Sequence, residues 1–106
     1  MSLLILYRKG CLQDLSRLRI SEGLSAAPQS IKFNVLGMGH EFWIAVEEGI
    51  IIGLTVLSRS SMKAFIIVYL EVAPSRKSQG VGTGLIKAIL DHYPQSDFSV
   101  VPLDGT

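Results

Sequence analysis

Residues 71–90 read EVAPSRKSQGVGTGLIKAIL. An apolar run ends at Pro74, a short basic loop carries Arg76 and Lys77, and Gly80, Gly82 and Gly84 then open a helix. Each part suits a ligand that bears phosphates. N–H groups in the first turn of a helix have no intrahelical acceptor and lie at the positive end of the macrodipole, so they attract an anion that can come close. Glycine has no Cβ to hold the ligand off, and Arg76 and Lys77 add positive charge just upstream. Two other phosphate loops do not fit: Leu85 stands where G-x-G-x-x-G needs its third glycine, and the closing G-K-[ST] of a P-loop is absent. Turn geometry and close helix packing alone also account for glycines at such a junction. Glu71 is the only charged side chain between Ala64 and Pro74; it reads either as the mark of an exposed strand end or the orienter of a neighbour, or as a base, with proton release to water competing with the last.

A strand and a helix must hold these residues in place. Ala64 to Val72 is a nearly unbroken apolar run, as in a strand covered on both faces, and Pro74 cannot continue the ladder. Val81, Leu85, Ile86, Ile89, Leu90 and Tyr93 form one apolar stripe at helical spacing, with Lys87 and Asp91 as an exposed i, i+4 pair and Pro94 as the stop. Upstream, Phe42 to Val46 and Ile50 to Leu57 are rich in β-branched and aromatic residues, and Glu47-Glu48-Gly49 joins them as a hairpin with its charges in solvent. Ser58 to Lys63 is expected as a polar loop. Leu3 to Tyr7 reads as a strand running into a turn at Arg8, Lys9 and Gly10. Leu12, Leu15, Leu18 and Leu24 recur at helical spacing, and a short second helix around Ile31 to Leu36 is one reading of the segment that follows. Phe98 to Val101 is a final strand, followed by Pro102 and a turn at Asp104-Gly105-Thr106.

The chain has 106 residues, enough for one domain, 1–106. With 48% hydrophobic and 18% charged residues it can bury a core, which excludes a disordered chain. A net charge of +1 provides no broad basic field, so no nucleic-acid partner is expected and any bound anion should be small. The longest apolar run is far shorter than a membrane span needs, and the N-terminal residues lack the form of a signal peptide, so the expectation is a cytoplasmic protein without membrane association. Cys11 is the lone cysteine and permits no internal disulfide; it reads as partly buried and inert. Neither His40 nor His92 belongs to a nucleophile or metal pattern, and no metal site is expected. Tyr69 and Trp43 read as core residues, with a minor reading in which Tyr69 faces a substrate.

The segment VAPSRKSQGVGTGL resembles the acetyl-CoA-binding motif of the GNAT N-acetyltransferase superfamily, [R/Q]-x-x-G-x-[G/A] after a strand ending V-x-P. Val72 and Pro74 fit the strand end, Gln79 the residue before the first glycine, Gly80 and Gly82 the two small positions, and Leu85 the first core contact of the helix. FWIAVEEGIIIGLTVL is similar to the preceding hairpin of that family, including Gly53 in its second strand. The resemblance implies an α/β (layered α+β) fold with a mixed, mostly antiparallel central sheet flanked by helices, and transfer of an acetyl group from acetyl-CoA to a primary amine by direct attack. It assigns the pyrophosphate to Arg76, Lys77, Ser78, Gln79, Gly80, Val81, Gly82, Thr83 and Gly84, the pantetheine arm to the backbone of Leu70 and Val72, and the candidate base to Glu71. The acceptor it implies is a small-molecule or peptide amine.

Two departures from the family pattern bear on activity. Lys77 takes the place of Arg or Gln, keeping a charge but losing the planar fork. The helix that carries N-x-x-A-x-x-[FY]-Y-x-x-x-G-F, and the last strands, do not occur in this sequence, and that helix usually supplies the tyrosine which protonates the leaving thiolate. The expectation is therefore a C-terminally truncated family member, a fragment of a longer product, and the alternative reading is a non-catalytic or partner-completed CoA-binding module. With the last strand left open to pairing, a homodimer is expected.

Overall fold

The structure, a computed structural model, describes residues 4–25, 28–61, 64–94 and 97–100. Leu3, Lys63, Val101, Pro102 and the turn expected at Asp104-Gly105-Thr106 lie outside the described residues.

Three long strands make the centre. β3 (Glu41–Glu47) and β4 (Ile50–Ser61) form the expected hairpin, and β4 then pairs antiparallel with β5 (Ala64–Val72). The hairpin turns on Glu48 and Gly49, both at positive φ (52° and 77°), the two-residue arrangement whose twist matches that of the strands. β1 (Leu6–Lys9) pairs antiparallel with β3 at one edge, and β6 (Asp97–Val100) pairs parallel with β5 at the other. The order is β1-β3-β4-β5-β6, and the short β2 (Arg19–Ile20) pairs parallel with Ile50 and Ile51 of β4. The sheet is thus mixed and mostly antiparallel.

Helices cover both faces. α3 (Val81–His92) lays Val81, Leu85 and Ile89, all buried, on Trp43, Ala45, Ile52, Leu57, Phe65 and Ile67. Burying each of these three side chains contributes on the order of 1.5–3 kcal/mol. On the opposite face α1 (Asp14–Arg17) and α2 (Pro28–Lys32), which continues as a π-helical turn over Phe33–Gly37, seat Leu15 and Ile31 on Phe42, Ile44, Val46, Ile51, Leu54 and Val56.

Several expectations need correction. β1 starts at Leu6 and includes Arg8 and Lys9, because an edge strand leaves outward side chains free to pair: Arg8 with Asp14 at 2.7 Å and Lys9 with Glu41 at 3.9 Å. The first helix is a single turn; Arg19 and Ile20, which lie within the span of the Leu12 to Leu24 spacing, are taken by β2. Ser58 to Ser61 is strand and not loop, since Ser58, Arg59 and Ser61 stay in register with Ile66, Phe65 and Ala64. Glu47 is not solvated at the hairpin tip: it is 5% exposed and paired with Arg76. Cys11 is exposed, not partly buried.

Candidate acyl-CoA and acceptor sites

β5 ends at Val72, a 3₁₀ turn spans Pro74–Arg76, and the chain then winds through Ser78 (φ 67°) and Gly80 (φ 81°) into α3. The N–H of Gly84 donates to the Gly80 carbonyl at 2.8 Å as the first α-helical bond, so the N–H groups of Val81, Gly82 and Thr83 precede any intrahelical acceptor. They open on a groove of about 350 Å³ lined by Leu70, Val72, Arg76, Lys77, Ser78, Gly80, Val81, Gly82 and Thr83. Every one of these residues belongs to the set assigned from the sequence.

The glycines divide by geometry. A Cβ on Gly80 would meet nothing within 4 Å, and one on Gly82 would meet only Val72 and Leu70 at 3.7 and 3.8 Å. The protein itself therefore leaves space over Gly82, and a side chain there would fill the groove. Gly84 is different: its Cβ would lie 2.3 Å from the Tyr7 ring, and its N–H is already committed. Gly84 serves the packing of α3 against β1, outside the groove. The Gln79 N–H donates to the Arg76 carbonyl at 3.3 Å, and Gln79 does not line the groove either.

Arg76 borders the groove, but its guanidinium is paired with buried Glu47 and reaches Gln79 Oε1 at 3.4 Å, so it ties the loop to the β3–β4 hairpin. Lys77 is exposed, and with the helix terminus it supplies the positive character of the groove. Gly53 allows this approach of the helix: a Cβ there would sit 2.9 Å from Val81 Cγ1.

Strand alternation fixes the other half of the site. The Ala73 N–H donates to the Ile52 carbonyl at 2.8 Å, so Glu71 also directs its backbone groups at β4, whereas Leu70 and Val72 direct theirs at the outer edge of β5. Among the described residues β6 pairs only with Ala64 to Ile67, which leaves that edge open beside Leu70 and Val72.

On the opposite face lies a second cavity, about 300 Å³, lined by Ser25, Ser30, Ile31, Asn34, Leu54, Val56, Val68 and Tyr69. An irregularity in the β4–β5 register leaves Val68 without a partner between Tyr69 and Ile67, and both Val68 and Tyr69 reach this cavity. Thr55, fully buried, donates its hydroxyl to the Tyr69 carbonyl at 2.6 Å and holds the irregularity. Glu71 points to this face, as alternation requires. Its carboxylate accepts from the Ser25 N–H at 2.9 and 3.0 Å, from the Ser25 hydroxyl at 2.7 Å and from the Tyr69 hydroxyl at 2.5 Å. Burial, and then the hydrogen bond to Glu71, push the Tyr69 hydroxyl above its ordinary pKa. Reading Tyr69 as core missed its position beside the cavity; its i, i+2 relation to Glu71 across a strand was the available signal. Ser25 carried none.

A model described as the Acetyltransferase (GNAT) family matches residues 11–104. The chain belongs to the GNAT acetyltransferase family. That family membership makes it a transferase and supports acyl transfer as its chemistry. Its fold is shared with solved GNAT structures. Ard1 from Thermoplasma volcanium superposes with a TM-score of 0.68 at 19% identity, over 95% of this chain and 74% of that one. A GNAT family acetyltransferase from Streptococcus pneumoniae gives 0.64 at 19%, over 95% and 77%. An aminoglycoside acetyltransferase from an uncultured soil metagenomic sample, solved with sisomicin, gives 0.65 at 18%, over 95% and 79%. At such identities the likeness is one of fold. A search of curated proteins returned no match.

Proposed function

We propose that this GNAT chain is an acetyl-CoA-dependent N-acetyltransferase acting on a primary amine. The observation that carries the reading is the groove at the α3 N-terminus, open over Gly82 where a Cβ would project, with Lys77 beside it and the free backbone edge of Leu70 and Val72 leading away. Acetyl-CoA bound there would supply an acyl carbon activated as a thioester. The N–H groups of Val81, Gly82 and Thr83 receive the diphosphate, with Lys77, Ser78 and Gly80 around it, and the backbone of Leu70 and Val72 aligns the pantetheine arm. Gln79, Arg76 and Gly84 hold the shape of this loop rather than the ligand.

The cavity on the opposite face of β5 receives the amine. An ammonium has no lone pair, so one proton must leave to water before the neutral amine attacks. As the nitrogen bonds to the acyl carbon, the carbon–sulfur bond breaks, CoA departs as a thiolate that takes a proton from water, and a second proton must leave the nitrogen. The Tyr69 oxygen takes that proton while the Tyr69 hydroxyl passes its own to the Glu71 carboxylate, which leaves both residues neutral. Glu71 thus acts through Tyr69, and Ser25 holds the carboxylate in place. The protein works as a single domain in the cytoplasm and pairs as a homodimer through the strand edge at β6, the last in the sheet order among the described residues.

Isothermal titration with acetyl-CoA tests the binding step: saturable heat is expected from the native chain and none from Gly82→Trp. Thiol release over an amine panel tests turnover, and binding without sustained CoA release would favour a non-catalytic CoA module. Sedimentation tests the dimer, which a strictly monomeric folded species would contradict.

A further inference from the structure

The second cavity also carries information about which amine it takes. Ile31, Leu54 and Val56 form its walls at 2%, 0% and 3% exposure, and half-buried Val68 completes them. They are packed into the sheet core and cannot turn aside to admit a polar body. Besides the exposed Ser30 hydroxyl, the polar groups of Asn34 and Ser25 at its rim are engaged within the protein. Asn34 Oδ1 lies 3.0 Å from His40 Nδ1, Asn34 Nδ2 donates to the Ser30 carbonyl at 2.9 Å, and the Ser25 hydroxyl donates to Glu71. Among the described residues no Asp, Glu, Lys or Arg side chain lines the cavity. The carboxylate within reach is that of Glu71, met through the Tyr69 hydroxyl, so one end of the cavity matches a single amine nitrogen. A second ammonium would lie among hydrocarbon walls and neutral groups with no second carboxylate to pair with, which is costly in such surroundings. At about 300 Å³ the cavity is at the small end of ligand pockets, which run from roughly 300 to 1,000 Å³.

We propose that the acceptor is a primary monoamine carried on a compact, uncharged hydrocarbon body, aliphatic or arylalkyl, and that polyamines and aminoglycosides are excluded. This rests on the acetyltransferase reading above. The walls accept the body by burial, and discrimination comes from the charges a polycation would leave unpaired.

The test compares 2-phenylethylamine and hexylamine with spermidine and sisomicin, by thiol release with acetyl-CoA and by calorimetric titration of each amine into the protein saturated with CoA. The monoamines should be preferred by on the order of 10²-fold in kcat/KM or in affinity. Val68→Phe fills the cavity and should weaken 2-phenylethylamine about tenfold, the effect of losing roughly a methylene's fit or more, with acetyl-CoA affinity unchanged. Ser30→Asp, at an exposed position on α2 that does not threaten folding, places a carboxylate at the rim and should shift preference toward spermidine. Equal or stronger binding of spermidine or sisomicin by the native protein would overturn the proposal, as would indifference of 2-phenylethylamine to Val68→Phe in a variant whose circular dichroism is native. Failure of acetyl-CoA to bind would sink the acetyltransferase reading instead, and titration of the amines into the free protein would still decide what the cavity prefers.

Discussion

Gly82 shows how one missing methyl group separates a structural glycine from a binding one. An alanine Cβ there would make ordinary contacts with Val72 and Leu70, so Gly82→Ala should fold and gain up to about 1 kcal/mol from helix propensity. The same methyl group occupies the groove, and acetyl-CoA affinity should fall. A variant that melts higher yet binds more weakly in calorimetry is the expected outcome; unchanged affinity would place the diphosphate elsewhere. Tyr69 and Glu71 make the second residue-scale prediction. Tyr69→Phe and Glu71→Gln should each lower kcat by roughly 10²-fold with acetyl-CoA affinity intact, and the double variant should lose little more, because the two groups move one proton together. Absorbance titration should also show one fewer tyrosine ionising above its ordinary range in Tyr69→Phe, since burial and Glu71 hold that hydroxyl protonated. Of this pair Glu71 was legible in the sequence as chemistry, and Tyr69 only as a minor reading beside its reading as core. An isolated charge in an apolar strand is conspicuous, whereas a tyrosine in the same strand looks like any other large side chain until the fold shows what lies over it.

α3 and β5 were readable as elements because each carries an uninterrupted pattern. The stripe from Val81 to Tyr93 predicted the helix that is observed over Val81–His92, and the apolar run of β5 has the expected bounds. Partners remote in sequence were not readable. The periodicity of Leu12 to Leu24 could not show that Arg19 and Ile20 add to β4, and nothing near Glu47 indicates that Arg76 docks on it. The same gap made Gly80, Gly82 and Gly84 look equivalent, although Gly84 is set by Tyr7 on β1. Gly84→Ala should therefore cost on the order of 1–2 kcal/mol through overpacking, in spite of the better helix propensity of alanine. Adding Tyr7→Ala removes the clash, so the double variant should recover more stability than the two separate changes would sum to. Denaturant melts of the four species measure this coupling, and strict additivity would show that α3 does not rest on Tyr7.

For the molecule as a whole, two apolar layers sandwich one sheet, and few charges are buried, so those few dominate how stability responds to pH. Asp14 is 6% exposed. Its carboxylate takes two hydrogen bonds from Arg8, at 2.7 and 2.9 Å, and one from the Cys11 N–H at 2.8 Å, which bind the turn before α1 to the edge strand. The Arg8 guanidinium, ahead of an opposing effect of burial and assisted by the Cys11 N–H, holds this carboxyl well below the usual carboxylate range. Because the folded state favours the ionised form, the contribution is fully present above the unfolded pKa of about 3.9 and is lost as pH falls below it toward the lower folded value. At pH 7 Asp14→Asn should cost about 1–2 kcal/mol, a range kept modest because Arg8 is partly solvated. Native and variant stabilities should converge as the pH is lowered from 5 toward 2. Urea titrations across that window, with the difference between the two proteins plotted against pH, check the sign: a constant difference would mean that Asp14 acts by shape alone, without its charge.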